Sequence, residues 1–260
     1  MQNPTELARA LWAQHRDRVR FESLGSSLPS IESAYDVQDE LVRLMMPTEG
    51  APRGYKIGLT SLRMQQMCGI DQPVAGRILE RRVHGGAARI AAASFARLGV
   101  ESELCLILKE DLPARRSAYT LEDIANAVDG AAAAFELIDD RGADYHAIDA
   151  RTLVADNSWN AGVVLAESSS LGNARIDVGA LEGVLTIDDR PVDRGNSRDA
   201  LTHPFAVVLW LANHLRGRGS CLRAGDLVMT GSIVPTRFAK PGEHYRFELE
   251  GLAAAELRVT

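Results

Sequence analysis

The chain has 260 residues, of which 46% are hydrophobic and 25% charged, so it can bury the core of one large domain or two small ones. Its net charge of −6 argues against a nucleic-acid-binding protein, because such a surface needs a block of Lys and Arg. Cys68, Cys105 and Cys221 are too widely spaced for a C-x-x-C site and too few for a disulfide framework. No apolar run is long enough to span a membrane and the N-terminus has no apolar signal segment, so we expect a cytoplasmic protein.

The first fifty residues carry two helical patterns. Asn3 and Pro4 stand where a cap and the first helical position are expected, ahead of "TELARALWAQHRDR". Ser30 can cap a second helix, "IESAYDVQDELVRLM", whose apolar residues recur at helical spacing. We therefore expect residues 1–50 to form an N-terminal helical segment packed on a body of residues 51–260, the two making a single domain overall.

The remainder of the chain has the pattern of a β-rich body, because short apolar runs are broken by Gly, Pro and Asp from Gly54 onward. The predicted strands are "YKIGL", "ELCLILK", "AAFELID", "AGVVLA", "EGVLTID", "DLVMTG" and "YRFELEG". Two helices interrupt them, one capped by Thr120 and ending near Gly130, the other capped by Thr202. This order of elements predicts an α+β protein.

Three glutamates stand out because they lie in or beside apolar runs. Glu101 and Glu103 are two residues apart at a strand start, so their side chains project from one face. Glu136 lies inside "AAAAFELI", where an unpaired charge would be costly. An isolated pair of glutamates is more often a solvated strand edge, but the third carboxylate favours a metal site. Three carboxylates suit Mg²⁺ or Mn²⁺, whereas Zn²⁺ would draw His or Cys.

The glutamates belong to a series of short motifs that follow one another along nearly the whole chain. The series is "GYKIGLTS", "DQPVAG", "ESE", "FELIDDR", "LVADNSWNAG", "THPFAVVLWLA" and "LRAGDLVMTGS". In this order it resembles the 2-keto-4-pentenoate hydratase and 4-oxalocrotonate decarboxylase family of the fumarylacetoacetase-like superfamily. The resemblance implies the mixed β-sheet roll of the fumarylacetoacetase C-terminal domain, here with an N-terminal helical segment.

The resemblance also implies roles for individual residues. The metal ligands of the family fall on Glu101, Glu103 and Glu136, and its lysine in "GxKIGLTS" falls on Lys56. We expect Lys56 to act as an acid/base group or as a carboxylate partner, with its charged form destabilised by a metal ion and an apolar strand.

Four further residues are candidates for binding the substrate, each with a plainer structural alternative. Ser61 could bind substrate or cap the helix that begins at "LRMQQM". Gln72 has a similarly mixed status. Thr230 and Ser232 could hold the substrate carboxylate or form a simple polar turn.

The activity implied by the resemblance is that of a divalent-metal-dependent lyase acting on a small unsaturated 2-oxo or 2-hydroxy acid. We expect hydration of a 2-hydroxydienoate in the catabolism of aromatic compounds, with decarboxylation of a 4-oxalocrotonate-type acid as the alternative. C–C hydrolysis of an acylpyruvate and a noncatalytic partner subunit of a homologous lyase are further alternatives. The expected partners are a small-molecule acid and further copies of this chain, with a complex with a pathway partner as an alternative, and no nucleic acid and no membrane.

One segment departs from the family pattern. Hydratases of this family commonly carry an acidic residue in a pattern like "LFADM", whereas this chain reads "GRILERRV" and brings in Arg77, Arg81 and Arg82. These arginines could bind a second carboxylate of a dicarboxylic substrate, or they could form a solvated turn. The sequence leaves both alternatives open.

Overall fold

The computed structural model describes residues 3–174, 176–199 and 203–260. Its helices are α1 (Pro4–Asp17), α2 (Ile31–Glu49), α3 (Leu62–Met67), α4 (Leu121–Ala127), α5 (Ala150–Ala155), α6 (Leu171–Ala174) and α7 (Pro204–Gly217). Its strands are β1 (Pro52–Gly58), β2 (Val74–Leu79), β3 (Val83–Gly85), β4 (Ala87–Ile90), β5 (Leu98–Leu108), β6 (Val128–Asp139), β7 (Asn160–Leu165), β8 (Ser169–Ser170), β9 (Glu182–Ile187), β10 (Arg190–Asn196), β11 (Leu227–Ser232), β12 (Arg237–Phe238), β13 (His244–Leu249) and β14 (Ala255–Val259).

The helices begin where short polar side chains can satisfy their first backbone N–H groups. A side-chain oxygen accepts such a hydrogen bond at each of the predicted caps Asn3, Ser30, Ser61 and Thr120. The cap of α7 is His203, whose Nδ1 accepts from the N–H of Phe205 at 3.0 Å. The predicted cap Thr202 lies outside the described residues.

The prediction that α4 ends near Gly130 is wrong. The helix ends at Ala127, and the chain passes directly into β6. Gly130 is paired with Ile107 of β5, where a Cβ atom would lie 2.7 Å from the Cβ of that isoleucine. The glycine therefore allows close strand pairing and does not terminate the helix.

The N-terminal helices are joined to the strands by buried polar contacts. The side chain of Gln38 in α2 donates to the carbonyls of Ala75 and Val154, both at 2.8 Å. The hydroxyl of Tyr35 accepts from the N–H of Ala75 at 2.9 Å. Because these groups are buried, the bonds define how α2 sits on β2 and α5.

The strands form two sheets, as expected for an α+β protein with mixed sheets. The larger has the order β2-β1-β11-β5-β6-β7-β3, and β12 and β8 add to β5 and β6. The smaller has the order β10-β9-β13-β14-β4. In the larger sheet β1 and β11 are parallel, whereas β5 pairs with β11 and β6 in antiparallel register. No helix in the described ranges combines the length and apolarity needed to cross a membrane.

The two faces of β6 have different surroundings. Phe135 is fully buried, and its ring lies 6.2 Å from the rings of both Tyr245 and Phe247 in the smaller sheet. Since successive side chains of a strand point to opposite faces, Glu136 projects away from this core. On that side a smaller apolar cluster is formed by Ile78, Cys105, Ala134, Val163, Leu227 and Met229.

Candidate metal centre and substrate cavity

Three carboxylates converge where β5 and β6 pair. The register places Glu101 directly opposite Glu136, and Glu103 lies two residues further along β5. One oxygen from each of the three lies within 4.8 Å of the others. Glu103 and Glu136 are buried, and Glu101 is partly exposed. The sheet therefore brings together three carboxylates that come from two separate segments of sequence.

A hydrogen bond fixes one oxygen of each carboxylate. The donors are the Gly231 N–H to Glu103 Oε2 at 2.9 Å, the Asn160 Nδ2 to Glu136 Oε1 at 3.0 Å and the Thr236 hydroxyl to Glu101 Oε1 at 2.6 Å. These bonds orient the carboxylates without using all of their oxygens. They come from β11, the start of β7 and the loop before β12, which close around the strand pair.

The remaining oxygens of the two buried glutamates test whether a cation fits. Glu103 Oε1 and Glu136 Oε2 are inaccessible to solvent and have no hydrogen-bond partner within the described structure. Leaving such atoms unpaired is unfavourable, and a divalent cation would satisfy both. A donor set made only of carboxylate oxygens is the type that Mg²⁺ and Mn²⁺ prefer. The residues present therefore fit a hard divalent cation.

Lys56 of β1 lies beside this cluster. Its Nζ is 3.3 Å from Glu136 Oε1, and the residue is 5% exposed. Burial by itself lowers the pKa of Lys56, but Glu136, Glu101 and Glu103 together raise it by more, so its pKa lies above the usual value. This is the balance in the cluster without a bound ion, where three nearby anions outweigh desolvation. The destabilised charged form expected beside a metal ion stays a prediction.

The same crowding that favours the charged form of Lys56 disfavours the charged form of the glutamates. Burial, followed by the neighbouring carboxylates, raises the pKa of Glu103 well above its usual range. Burial also raises the pKa of Glu136, although Lys56 partly offsets the effect. Desolvation and mutual repulsion thus both disfavour a fully ionised cluster without a compensating cation.

A cavity of about 350 Å³ opens beside the cluster. Lys56 and Glu101 contribute to its lining at one side. The lining is otherwise drawn from the end of β1 and the segment that follows it, from α3, the end of β6, Tyr145, α5 and the turn before β7, and from the end of β11 and the segment that follows it. A small acid entering here would meet the carboxylate cluster from the cavity side.

Two of the predicted substrate-binding residues line this cavity. Ser61 Oγ accepts a hydrogen bond from the N–H of Met64 at 3.3 Å, so this residue is a helix cap, and it faces the cavity as well. Ser232 also lines the cavity, and its hydroxyl donates to the carbonyl of Val234 at 2.6 Å. Both are thus placed where they could contact a bound acid.

The other two lie elsewhere. Thr230 is buried, and its hydroxyl donates to the carbonyl of Leu104 at 2.9 Å, so it ties β11 to β5 and is not part of the cavity lining. Gln72 is exposed and lies in a separate shallow depression beside Ile31 and Gln66. The fold does not bring Thr230 or Gln72 to the cavity surface.

The three arginines after "VAG" also lie outside the cavity lining, and they bind groups of α2 and β1. Their partners are Asp39 at 3.1 Å and the Tyr55 hydroxyl at 3.0 Å for Arg77, the Thr48 carbonyl at 2.9 Å for Arg81, and Glu49 at 3.2 Å for Arg82. Of the two alternatives left open by the sequence, this arrangement favours a structural role.

The sequence did not predict two of the groups that hold the glutamates. Asn160 belongs to "LVADNSWNAG", so its presence in that motif was a usable signal. Thr236 lies in the segment between β11 and β12, where no local pattern distinguishes it. Tyr145 and Trp159 of the cavity lining were also not predicted.

Comparison with known proteins shows the family of the chain. Residues 79–260 match the model of the fumarylacetoacetate (FAA) hydrolase C-terminal family. The chain is 34% identical over 221 residues, 85% of this chain and 83% of the relative, to 2-keto-4-pentenoate hydratase 2 of Dechloromonas aromatica (strain RCB). It is 30% identical over 253 residues, 94% of this chain and 92% of the relative, to 2-oxo-hept-4-ene-1,7-dioate hydratase of Escherichia coli.

A solved structure extends the likeness to the whole fold. The 4-oxalocrotonate decarboxylase from Pseudomonas putida G7, complexed with magnesium and adipate, superposes with a TM-score of 0.91 at 25% identity, covering 99% of this chain and 97% of that one. The superposition includes the N-terminal helices, which precede the residues matched by the family model. The chain therefore belongs to the fumarylacetoacetate hydrolase C-terminal family, within the group of the 2-keto-4-pentenoate hydratases and 4-oxalocrotonate decarboxylases, as its motifs predicted.

Proposed function

We propose that the chain is a divalent-metal-dependent lyase that adds water to a 2-hydroxydienoate, or to its 2-oxo-enoate tautomer, in the breakdown of aromatic compounds. The observation that carries this proposal is the convergence of three carboxylates within 4.8 Å of one another, at the edge of a cavity and beside a buried lysine. Relatives named as hydratases support the same reaction class.

In this proposal Glu101, Glu103 and Glu136 hold Mg²⁺ or Mn²⁺. The ion would stabilise the negative charge that develops on the 2-oxo oxygen of the substrate. Three protein ligands leave room around such an ion for an acid that binds through two oxygens. The relative from Pseudomonas putida G7 is complexed with magnesium, which supports this choice of ion.

Lys56 is the proposed catalytic residue. Its ammonium group is held at the cluster by Glu136 and faces the cavity, so it can position the substrate carboxylate or pass a proton to the substrate carbon chain. Ser61 and Ser232 lie in the same lining; the Ser61 hydroxyl can donate to a bound acid, and the Ser232 hydroxyl can do so by giving up its bond to the Val234 carbonyl. Thr230 acts with them through the backbone of β11, which it anchors to β5.

Decarboxylation of a 4-oxalocrotonate-type acid is the second candidate, and the high structural similarity to a decarboxylase favours it specifically. Hydrolysis of an acylpyruvate is less well supported, since no histidine is among the described residues that line the cavity. A noncatalytic subunit is also less well supported, because all three glutamates and Lys56 are in place.

We further propose that residues 1–50 and 51–260 form one unit, that the chain works as a homo-oligomer and that it acts in the cytoplasm. The buried bonds from Gln38 to the body support the first of these. The size of the cavity supports a small-molecule substrate.

Mass spectrometry of products tests the proposed reaction. The purified chain is incubated with Mg²⁺ and a panel of 2-hydroxydienoates and 4-oxalocrotonate-like diacids. A product that has gained one water supports hydration, whereas a product that has lost CO2 supports the decarboxylase alternative. If the panel is unchanged at every Mg²⁺ and Mn²⁺ concentration, the proposal of a lyase is wrong.

A further inference from the structure

We propose that this cavity selects a 2-oxo acid whose far end is uncharged and apolar, and that it discriminates against a dicarboxylate. This inference rests on the proposed function, because it places the acid end of the substrate at the glutamate cluster. Relatives are named for substrates of both kinds, a pentenoate with one carboxylate and a heptenedioate with two. Membership of the family therefore leaves the choice open, and the lining of the cavity has to decide it.

The first observation is that the cavity lining contains little positive charge. Among the described residues, Lys56 is the one Lys, Arg or His side chain in the cavity lining, and its ammonium is 3.3 Å from Glu136. The arginines that adjoin lining residues in sequence, Arg63 and Arg237, are not part of the lining: Arg63 is exposed, and Arg237 forms an ion pair with Asp193. A second substrate carboxylate would find no free cation along these walls.

The hydroxyl groups of the lining are also largely engaged. Three of them donate to acceptors of the protein itself: Tyr145 to Asp140 at 3.1 Å, Ser232 to the Val234 carbonyl at 2.6 Å and Thr236 to Glu101 at 2.6 Å. Each hydroxyl has a single proton, so none of these three can also donate to a substrate anion without giving up its present bond. Thr60 and Ser61 are the lining hydroxyls for which the described residues supply no acceptor, so free donors in the lining are few.

Large apolar side chains form another part of the cavity lining. Ile138 follows the ligand Glu136 by two residues, and it is paired with Gly99 of β5, where a Cβ atom would lie only 2.6 Å from Ile138 Cγ1. The glycine thus makes room for a branched side chain beside the cluster. Leu153 and Trp159, both buried, continue this surface from α5 and from the turn before β7.

The energetic consequence is a strong preference. Burying a carboxylate against such a wall without a partner is strongly unfavourable, whereas burying a methylene is favourable. Discrimination against an unpaired charge is therefore expected to exceed the roughly 10- to 200-fold effect of one methylene. The wall formed by Ile138, Leu153 and Trp159 is the specificity-determining feature.

Met64 offers a way to change this preference. It lines the cavity from α3 and is partly exposed, so a lysine there could keep its chain at the cavity and its charge near water. Met67 is one turn further along the same helix, is 44% exposed and is not part of the lining. Met67→Lys is therefore a matched control for Met64→Lys.

Binding of unreactive saturated analogues tests the inference independently of turnover. Isothermal titration calorimetry with Mg²⁺ present compares 2-oxohexanoate with 2-oxoadipate, which have equal chain lengths and differ in ending with a methyl group or a carboxylate. We expect the wild-type chain to bind the monoacid at least about 100-fold more tightly. Met64→Lys should reduce this ratio at least about tenfold, whereas Met67→Lys should leave it within about twofold.

Equal or tighter binding of the diacid by the wild-type chain would overturn the inference, and so would failure of both analogues to bind. A kcat/KM for CO2 release from 4-oxalocrotonate above that for hydration of 2-hydroxypenta-2,4-dienoate would overturn it as well, because the wall would then be accepting a carboxylate. Failure of the proposed function looks different: the dienoates are not turned over, while the two analogues still bind with the expected ranking.

Discussion

Replacing Glu103 by Gln separates the metal-binding role of this residue from any role in folding. Its oxygens lie within 4.8 Å of those of Glu101 and Glu136, and at an effective dielectric constant of about 20 each such pair of charges repels by about 3 kcal/mol. Glutamine keeps an oxygen that can accept from the Gly231 N–H and removes one of the three charges. Without metal, Glu103→Gln should therefore be at least as stable as the wild type.

With metal present, we expect the wild type to be more stable than Glu103→Gln. At a Mn²⁺ concentration of about 100 times the wild-type Kd, binding stabilises the folded chain by about 2.7 kcal/mol, which corresponds to a rise in Tm of about 5–10 °C for a chain of this size. Loss of one of three anionic ligands should weaken binding at least about 100-fold. At the same Mn²⁺ concentration the variant would then gain only about 0.4 kcal/mol, or about 1 °C.

The measurement is a thermal denaturation series over Mn²⁺ and Mg²⁺ concentration, with metal-free samples prepared by chelation. Glu110→Gln, which changes an exposed glutamate beyond the end of the same strand, is the matched control and should behave like the wild type. If Mn²⁺ raises the Tm of Glu103→Gln as much as that of the wild type, the ligand assignment is wrong. A metal-free variant that melts several degrees below the wild type would show that Glu103 is mainly structural.

Three other changes have expected outcomes. Asn160→Leu removes the donor to Glu136 and should weaken Mn²⁺ binding about 10- to 100-fold by titration calorimetry, with unaltered affinity arguing against a positioning role. Lys56→Met should lower kcat at least about 100-fold without weakening Mn²⁺ binding, and a loss of metal binding together with unfolding would contradict the catalytic role. Burial, followed by nearby arginines, lowers the pKa of His214 to about 4, so its neutral form stabilises the fold above about pH 6.5 and this contribution is lost as the pH falls towards 4. Between pH 6.5 and about 4 we expect the unfolding free energy of His214→Gln to fall by about 2 kcal/mol less than that of the wild type, a figure that allows for the partial exposure of His214. Urea denaturation measures this difference, and the exposed control His146→Gln should follow the wild type.

Elements with a strong local signal were predicted from the sequence. The strands that hold Lys56, Glu101, Glu103 and Glu136 contain short apolar runs, and the i, i+2 spacing placed Glu101 and Glu103 on one face before the fold was known. The caps of α1, α2 and α4 were predictable for the same reason, since each depends on a side chain within three residues of the bond it makes, whereas His203 of α7 was not predicted as a cap.

Features set by distant contacts were not predicted. β8 and β12 are two residues long and exist because β6 and β5 offer them partners, so no period could reveal them. Gln72 lies in a matching motif, but a motif does not state which way a loop faces. The raised pKa of Lys56 depends on counting anions from two separate strands.

The charge balance of the cluster connects these observations. Three carboxylates and the ammonium of Lys56 leave a formal charge of −2, which a single divalent cation balances. Glu136 is shared, because one oxygen accepts from Lys56 and Asn160 and the other is unpartnered. A lysine in this place therefore does not compete with a cation for the whole carboxylate. It holds one oxygen and leaves the other unpartnered. A divalent cation held by the three glutamates would make the cluster neutral, and it would act on a bound acid in low-dielectric surroundings, where each charge has a stronger effect.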